Sequence, residues 1–112
     1  EEGLKGIQSQ KAIQSAVDEG NPTPIIKEMR RNRDNTNVQA AGCSGLGLLA
    51  VTGPLERVIE EGGVKSIVRA MEAHEDSVLL QRAACKSLYT LAAVFQLNYH
   101  FHLLKLLQNF LD

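Results

Sequence analysis

The sequence contains an internal repeat: it matches itself when it is shifted by 42 residues. Segment 34–50 then lies over segment 76–92, and farther upstream Gly20 lies over Gly62. A period of about 40–47 residues with helical patterning is typical of solenoids that contain two or three helices per repeat. We therefore expect an all-α fold. The identical pairs in the aligned segments are Asp34/Asp76, Gln39/Gln81, Ala41/Ala83, Cys43/Cys85, Leu46/Leu88, Leu49/Leu91 and Ala50/Ala92.

Each copy of this pattern predicts three helices, because apolar residues recur at helical spacing between residues that start or stop helices. Pro54 suits the first position of a short helix, and Gly62 suits the left-handed position that ends it. Asp76 or Ser77 is the expected N-cap of the long third helix. The predicted helices lie near residues 10–19, 22–33 and 36–51 in the first copy and near 53–61, 63–74 and 77–94 in the second.

We expect residues 1–112 to form one segment of repeats that belongs to a larger scaffold, since the sequence does not begin with Met. Neither end carries a polar capping repeat, so open apolar ends favour self-association. Within 95–112, residues 95–101 are expected to connect to a separate helix that contains Leu103 and Phe110. The expected divisions are 1–7 as the tail of a preceding third helix, 8–51 and 52–94 as repeats, and 95–112 as a partial repeat or C-terminal cap.

Three stretches of sequence resemble the armadillo-repeat family. Segment 56–71 has the pattern of a short helix, a Gly turn and an apolar second helix, and segments 38–50 and 80–92 look like the third helix. The resemblance covers about residues 9–92. It implies a right-handed α-solenoid of three-helix repeats that holds an extended peptide or a partner protein along a groove lined by third helices. Two-helix HEAT-like repeats are the alternative.

Departures from the family pattern change what this groove is expected to bind. In importin-alpha-like members, a Trp and then an Asn four residues later hold the bound peptide. The Trp position falls here on Ser44 and Lys86. The Asn position falls on Leu48 and Thr90, which cannot replace the Asn amide as both donor and acceptor. Tyr89 would either anchor a partner or pack against the neighbouring unit. The residues expected to contact a partner are Ser44, Leu48, Arg82, Lys86, Tyr89 and Thr90.

A basic cluster at the end of the first copy's second helix supports an alternative function. Lys27, Arg30, Arg31 and Arg33 would contact phosphate, an acidic peptide or nucleic acid if they formed one patch. The competing interpretation is electrostatic, because cations near a helix C-terminus interact favourably with the negative end of the helix dipole. The net charge of −1 and the pI near 6.3 give no overall attraction to nucleic acid.

No residue pattern indicates catalysis, a metal or another cofactor. Cys43 and Cys85 occupy equivalent repeat positions and are expected to face the core. His100 and His102 would point to different sides of a helix, unlike the i, i+4 pair that binds zinc. The glycine-rich segment 42–47 lies within a helical pattern and has no preceding strand, so it does not predict a phosphate loop; small residues there instead allow neighbouring helices to approach closely.

These observations predict a non-enzymatic segment that binds a protein or peptide partner. The alternative is a structural or regulatory repeat arm of a larger multidomain enzyme. No apolar run approaches the roughly 18–20 residues that span a bilayer, and no secretory signal is visible. Cysteines without metal-like spacing fit a reducing compartment. We therefore expect a cytoplasmic or nuclear location, with neither a membrane nor a small-molecule substrate among the partners.

Overall fold

The computed structural model describes residues 2–111, and over this range the chain forms six helices and no strands. The all-α fold class is therefore confirmed. The helices are α1 (Glu2–Glu19), α2 (Pro22–Arg31), α3 (Thr36–Thr52), α4 (Leu55–Glu60), α5 (Gly63–Ala73) and α6 (Val78–Leu111).

A glycine in the left-handed backbone region separates α1 from α2, and another separates α4 from α5. Gly20 follows α1 with a φ of 71°, and Gly62 follows α4 with a φ of 90°. Glycine has no Cβ, so it adopts this region at little cost. The predicted role of Gly62 is confirmed. Pro22 occupies the first position of α2, where the amide proton that proline lacks would have no helical partner.

A glutamine of α3 caps the C-terminal end of α2, and a glutamine of α6 caps the C-terminal end of α5. The Gln39 side-chain Nε2 donates to the carbonyl oxygens of Met29 and Asn32, both at 2.8 Å. The Gln81 Nε2 donates to the equivalent carbonyls at the end of α5, at 2.9 and 3.1 Å. Carbonyls in the last turn of a helix have no intrahelical donor, so these bonds satisfy them. The same pair of bonds thus occurs twice, 42 residues apart.

Short polar side chains also cap the N-terminal ends of α3 and α6, at equivalent positions of the repeat. The Asn35 Oδ1 accepts from the Val38 amide at 3.1 Å, and the Ser77 Oγ accepts from the Leu80 amide at 3.1 Å. Each bond satisfies an amide that has no partner in the first helical turn. Of the two expected N-caps for the third helix, Ser77 rather than Asp76 supplies the cap.

Helix α3 lies at the centre of the structure and contacts α1, α2, α4, α5 and α6. Its glycines face neighbouring side chains at close range: a Cβ added at Gly42 would meet Met29, and one added at Gly47 would meet Ser87. The expectation that small residues let helices approach closely is confirmed. The largest fully buried apolar side chains are Ile25, Leu46, Leu49, Ile67, Leu80, Val38 and Val58.

Two predicted helix boundaries are wrong. Helix α1 runs without interruption from Glu2 to Glu19, so residues 2–7 and the predicted helix at 10–19 are one element. Helix α6 continues to Leu111, so the predicted connection at 95–101 is helical as well. Neither junction contains Gly or Pro, so no local signal stops the hydrogen-bond ladder. A smaller correction applies to Pro54, which lies just before α4 and not within it.

The continuous α6 extends well beyond the rest of the fold. Its 34 residues span about 51 Å at a rise of 1.5 Å per residue, and the whole molecule measures 63 × 28 × 17 Å. Every side chain from Phe95 to Leu111 is exposed. We call residues 95–111 the α6 extension.

Candidate functional site

Three of the four predicted partner-binding residues of α6 form one exposed face. Arg82, Lys86 and Tyr89 are spaced i, i+4 and i+7 along the helix, which places them on the same side. The Tyr89 side chain is 76% exposed, so it does not pack against the preceding unit. Thr90 is half-buried, and its hydroxyl donates to the Lys86 carbonyl at 2.9 Å. Arg82, Lys86 and Tyr89 are therefore available for contact with another molecule; we call these three residues the α6 face.

The two predicted residues of α3 line a groove that α3 forms with α1. Ser44 and Leu48 are exposed, and they line a groove of about 480 Å³ between α1 and α3. Ile7 and Lys11 of α1 lie on the opposite side of this groove, whose lining contains no residue of the α6 face.

The predicted basic cluster is divided in the structure. Arg31 pairs with Glu28 on the same helix, with 3.4 Å between Nη1 and Oε2. Arg30 and Arg33 instead line a cleft between α2 and α5, together with Arg69. Lys27 is exposed and is not part of that lining. Arg69 was not among the predicted residues, although it lies 42 residues after Lys27 and the repeat could have indicated it.

A polar network that the sequence did not reveal joins α2 to α4. Arg57 donates through Nη2 to Asn21 Oδ1 at 3.0 Å and to Thr23 Oγ1 at 3.2 Å, and through Nε to Glu61 at 3.0 Å. The Thr23 hydroxyl also donates a short hydrogen bond to Glu61. This bond lowers the pKa of the Glu61 carboxyl the most; Arg57 lowers it further, while burial opposes them. The network connects α4 to the start of α2, and we assign it a structural role.

Each histidine of the described chain either has structural partners or is exposed. The distance from His74 Nδ1 to the Thr36 hydroxyl oxygen is 3.2 Å, and the distance from His74 Nε2 to the Arg33 carbonyl oxygen is 2.6 Å. The ring therefore connects the end of α5 to the start of α3. His100 and His102 are exposed on the α6 extension. Over residues 2–111, no group of three or more His, Cys, Asp or Glu side chains could hold a metal ion. Within the same range, no helix is long and apolar enough to cross a membrane.

The two cysteines occupy equivalent sequence positions but have different surroundings. Cys43 is fully buried, and burial raises the pKa of its thiol to about 12. Cys85 is exposed, so the expectation that both cysteines face the core is wrong for Cys85. The reason is that α6 covers the outer side of α3, where Ser87 donates to the Cys43 carbonyl at 2.6 Å. In the described chain, no further helix covers the corresponding side of α6.

This asymmetry predicts different thiol reactivity. The thiolate is the reactive form, and at pH 8 only about one in 10⁴ Cys43 thiols would be ionised even if reagent reached it. We therefore expect an aromatic disulfide reagent to modify Cys85 quickly and Cys43 only after unfolding in urea. A Cys85→Ser variant, the control, should show no fast thiol in the native state. Two thiols that react at equal rates in the native protein would contradict the described packing.

An apolar groove lies where α4 and α5 meet the start of the α6 extension. Ile59 and Val64 form one side and Leu88, Leu91 and Phe95 form the other, around a volume of about 510 Å³. A second groove, of about 680 Å³, continues along α4 towards Phe101. Apolar residues therefore remain exposed at this end of the fold, next to the exposed side chains of α6.

Comparison with known proteins adds no further assignment. The chain matches no protein-family model, no curated protein and no solved structure. The features that bear on its function are the two copies of the helical pattern, the α6 face, the arginine-lined cleft and the apolar α6 extension.

Proposed function

We propose that this chain is a segment of a right-handed α-solenoid of three-helix, armadillo-type repeats and that it binds a partner protein or an extended peptide without catalysing a reaction. The observation that carries the proposal is the recurrence of the Gln39 hydrogen bonds at Gln81, 42 residues later. Equivalent N-caps at Asn35 and Ser77 support the same repeat. Solenoids leave long shaped surfaces along their helices, which suit extended partners.

The α6 face is the surface that we assign to the partner. Tyr and Arg are enriched among the residues that dominate binding energy at protein interfaces. Tyr89 and Arg82 lie on one side of α6 with Lys86 between them, and all three are exposed. A tyrosine ring loses little conformational entropy on binding, so it can supply contact area at low cost. Cys85 lies beside Lys86 and provides a native attachment point for a dye on this face.

The test is a selection of binding peptides from a displayed random library, followed by titration of the dye-labelled protein with the selected sequences. We expect Lys86→Glu and Tyr89→Ala to weaken binding by about tenfold or more, since hot-spot truncations cost about 2 kcal/mol. Lys65→Glu on α5 and Tyr99→Ala on the α6 extension make the same chemical changes elsewhere and should bind normally. Normal binding by the Lys86 and Tyr89 variants, with unchanged helicity, would show that the partner uses another surface.

We also propose that the chain self-associates through the α6 extension. The α6 extension exposes Leu103, Leu106, Leu107 and Phe110, which share one side of the helix at i, i+3, i+4 and i+7 spacing. Exposed apolar patches of this kind on a protein mark interaction sites or cause aggregation. A second copy of the chain presents the same surface, so the two extensions can cover each other.

A further inference from the structure

The cleft between α2 and α5 combines an apolar floor with a basic rim. Ile26, Met29 and Ala70 form the floor, and all three are buried. The rim carries Arg30 and Arg33 from the end of α2 and its following turn, and Arg69 from α5. The enclosed volume is about 430 Å³, which is within the range of ligand-binding pockets and holds a few side chains.

The three arginines are not neutralised by the residues around them. One carboxylate, Glu72, shares the cleft, and it lies beyond ion-pairing distance of all three guanidinium groups. Within residues 2–111, Arg30, Arg33 and Arg69 also form no side-chain hydrogen bond shorter than 3.5 Å. The interaction of cations with the helix dipole accounts for Arg30, which lies in the last turn of α2. It does not account for Arg69, which lies in the middle of α5.

We propose that this cleft binds an acidic peptide segment in which Asp or Glu residues flank an apolar side chain. The apolar side chain would contact Met29 and Ala70 on the floor, while the flanking carboxylates would pair with the arginines of the rim. Guanidinium groups bind carboxylates through two parallel hydrogen bonds, and arginine clusters are a recurring means of recognising acidic motifs. The proposed site is separate from the α6 face and does not depend on the function proposed for that face.

The charge around the cleft favours a peptide over a nucleic acid. A phosphate backbone requires an extended row of cations, and such proteins carry a strongly basic face. Here Glu72 interrupts the rim, and Glu28 pairs with Arg31 on α2 itself. The apolar floor also matches a side chain better than a sugar-phosphate chain. A compact basic rim over buried apolar residues therefore fits a short acidic peptide.

The experiment uses the complete chain labelled with ¹⁵N and titrates it with a pool of short peptides in which Asp or Glu flank a central Leu. A second pool carries Lys and Arg in place of the acidic residues, and a third titration uses a short DNA duplex. We expect the acidic pool to shift the amide signals of residues 26–33 and 66–73. The basic pool should leave these signals unchanged.

Variants assign the effect to the rim. Arg69→Glu should weaken binding of the acidic pool by about tenfold or more, because each charged hydrogen-bonded pair contributes strongly. Lys65→Glu makes the same charge change on α5 outside the cleft lining and should bind like the parent chain. Glu72→Arg should strengthen binding, which tests the site through a gain that misfolding cannot produce. Circular dichroism and urea unfolding establish that each variant folds.

Three outcomes would overturn the proposal. The first is the absence of shifts in the cleft with the acidic pool. The second is an Arg69→Glu variant that is folded and binds the acidic pool as tightly as Lys65→Glu does. The third is tighter binding of the DNA duplex, with a steep dependence on salt, since that result would assign the cleft to nucleic acid.

Discussion

Gly47→Ala is expected to lower the free energy of unfolding by about 2 kcal/mol, although alanine favours helices over glycine by roughly 1 kcal/mol. The cause is the contact between α3 and α6. A Cβ at Gly47 would lie 2.6 Å from Ser87 Oγ and 3.1 Å from the Ser87 Cα. The hydroxyl can rotate away, but the Cα belongs to the backbone of α6, so the two helices must separate.

Rotation of the Ser87 hydroxyl away from the added Cβ would also break a buried hydrogen bond. Ser87 donates to the Cys43 carbonyl at 2.6 Å, and such a bond contributes about 1 kcal/mol. Overpacking a core costs about 1–3 kcal/mol in addition. The sum of these losses exceeds the gain in helix propensity, which gives the expected net change.

Urea unfolding followed by circular dichroism measures this effect, and Gly3→Ala is the matched control. Gly3 is also helical, but a Cβ there meets no atom within 4 Å, so this variant should be neutral or slightly more stable. Combining Gly47→Ala with Ser87→Gly should cost less than the two single changes added together, because the smaller residue restores room. Equal stability of Gly47→Ala and Gly3→Ala would show that α3 and α6 are not in close contact.

Leu103→Lys combined with Leu107→Lys is expected to weaken self-association by about 100-fold or more. Burial of one leucine side chain stabilises by about 1.5–3 kcal/mol, and a symmetric pair of extensions loses four of them. The smallest total loss is four times about 1.5 kcal/mol. Half of that total would already reduce the association constant by about 100-fold, since 1.4 kcal/mol corresponds to a factor of ten. Both leucines are exposed in the single chain, so their replacement removes little intrachain packing.

Sedimentation velocity across a concentration series measures the association. Asn98→Lys combined with Asn109→Lys adds the same charge to the α6 extension without removing an apolar side chain, so this control should associate like the parent chain apart from the effect of charge. If the parent chain is monomeric throughout the series, the α6 extension does not pair with its own copy. If the control loses association as completely as the leucine variant, charge repulsion and not apolar burial is responsible.

Much of the fold was predictable because local signals determine helix ends. Gly62 ends α4 through its left-handed backbone, and Ser77 begins α6 through a hydrogen bond to a nearby amide. Both effects act over a few residues, so the sequence alone indicates them. The prediction of a connection at 95–101 is wrong because no such local signal exists there. The expected repeat was extended into a segment that contains no residue able to stop a helix.

The candidate sites were only partly predictable. Helical spacing placed Arg82, Lys86 and Tyr89 on one face, and the structure shows all three exposed; their role in binding stays a prediction. The cleft was missed because its rim combines residues of α2 with Arg69 of α5, which are distant in sequence. Which side chains meet across two helices depends on how those helices pack, and the spacing within either helix does not contain this information.

The all-α class, the 42-residue register and several helix ends follow from the sequence alone, since these depend on local hydrogen bonding and on the order of apolar residues. The tertiary structure decided which equivalent residues are covered. Cys43 and Cys85 share a register position, yet one is buried and the other exposed. Burial depends on whether a neighbouring helix lies over a given face. Helix α6 covers α3, whereas in the described chain the equivalent side of α6 remains open to solvent.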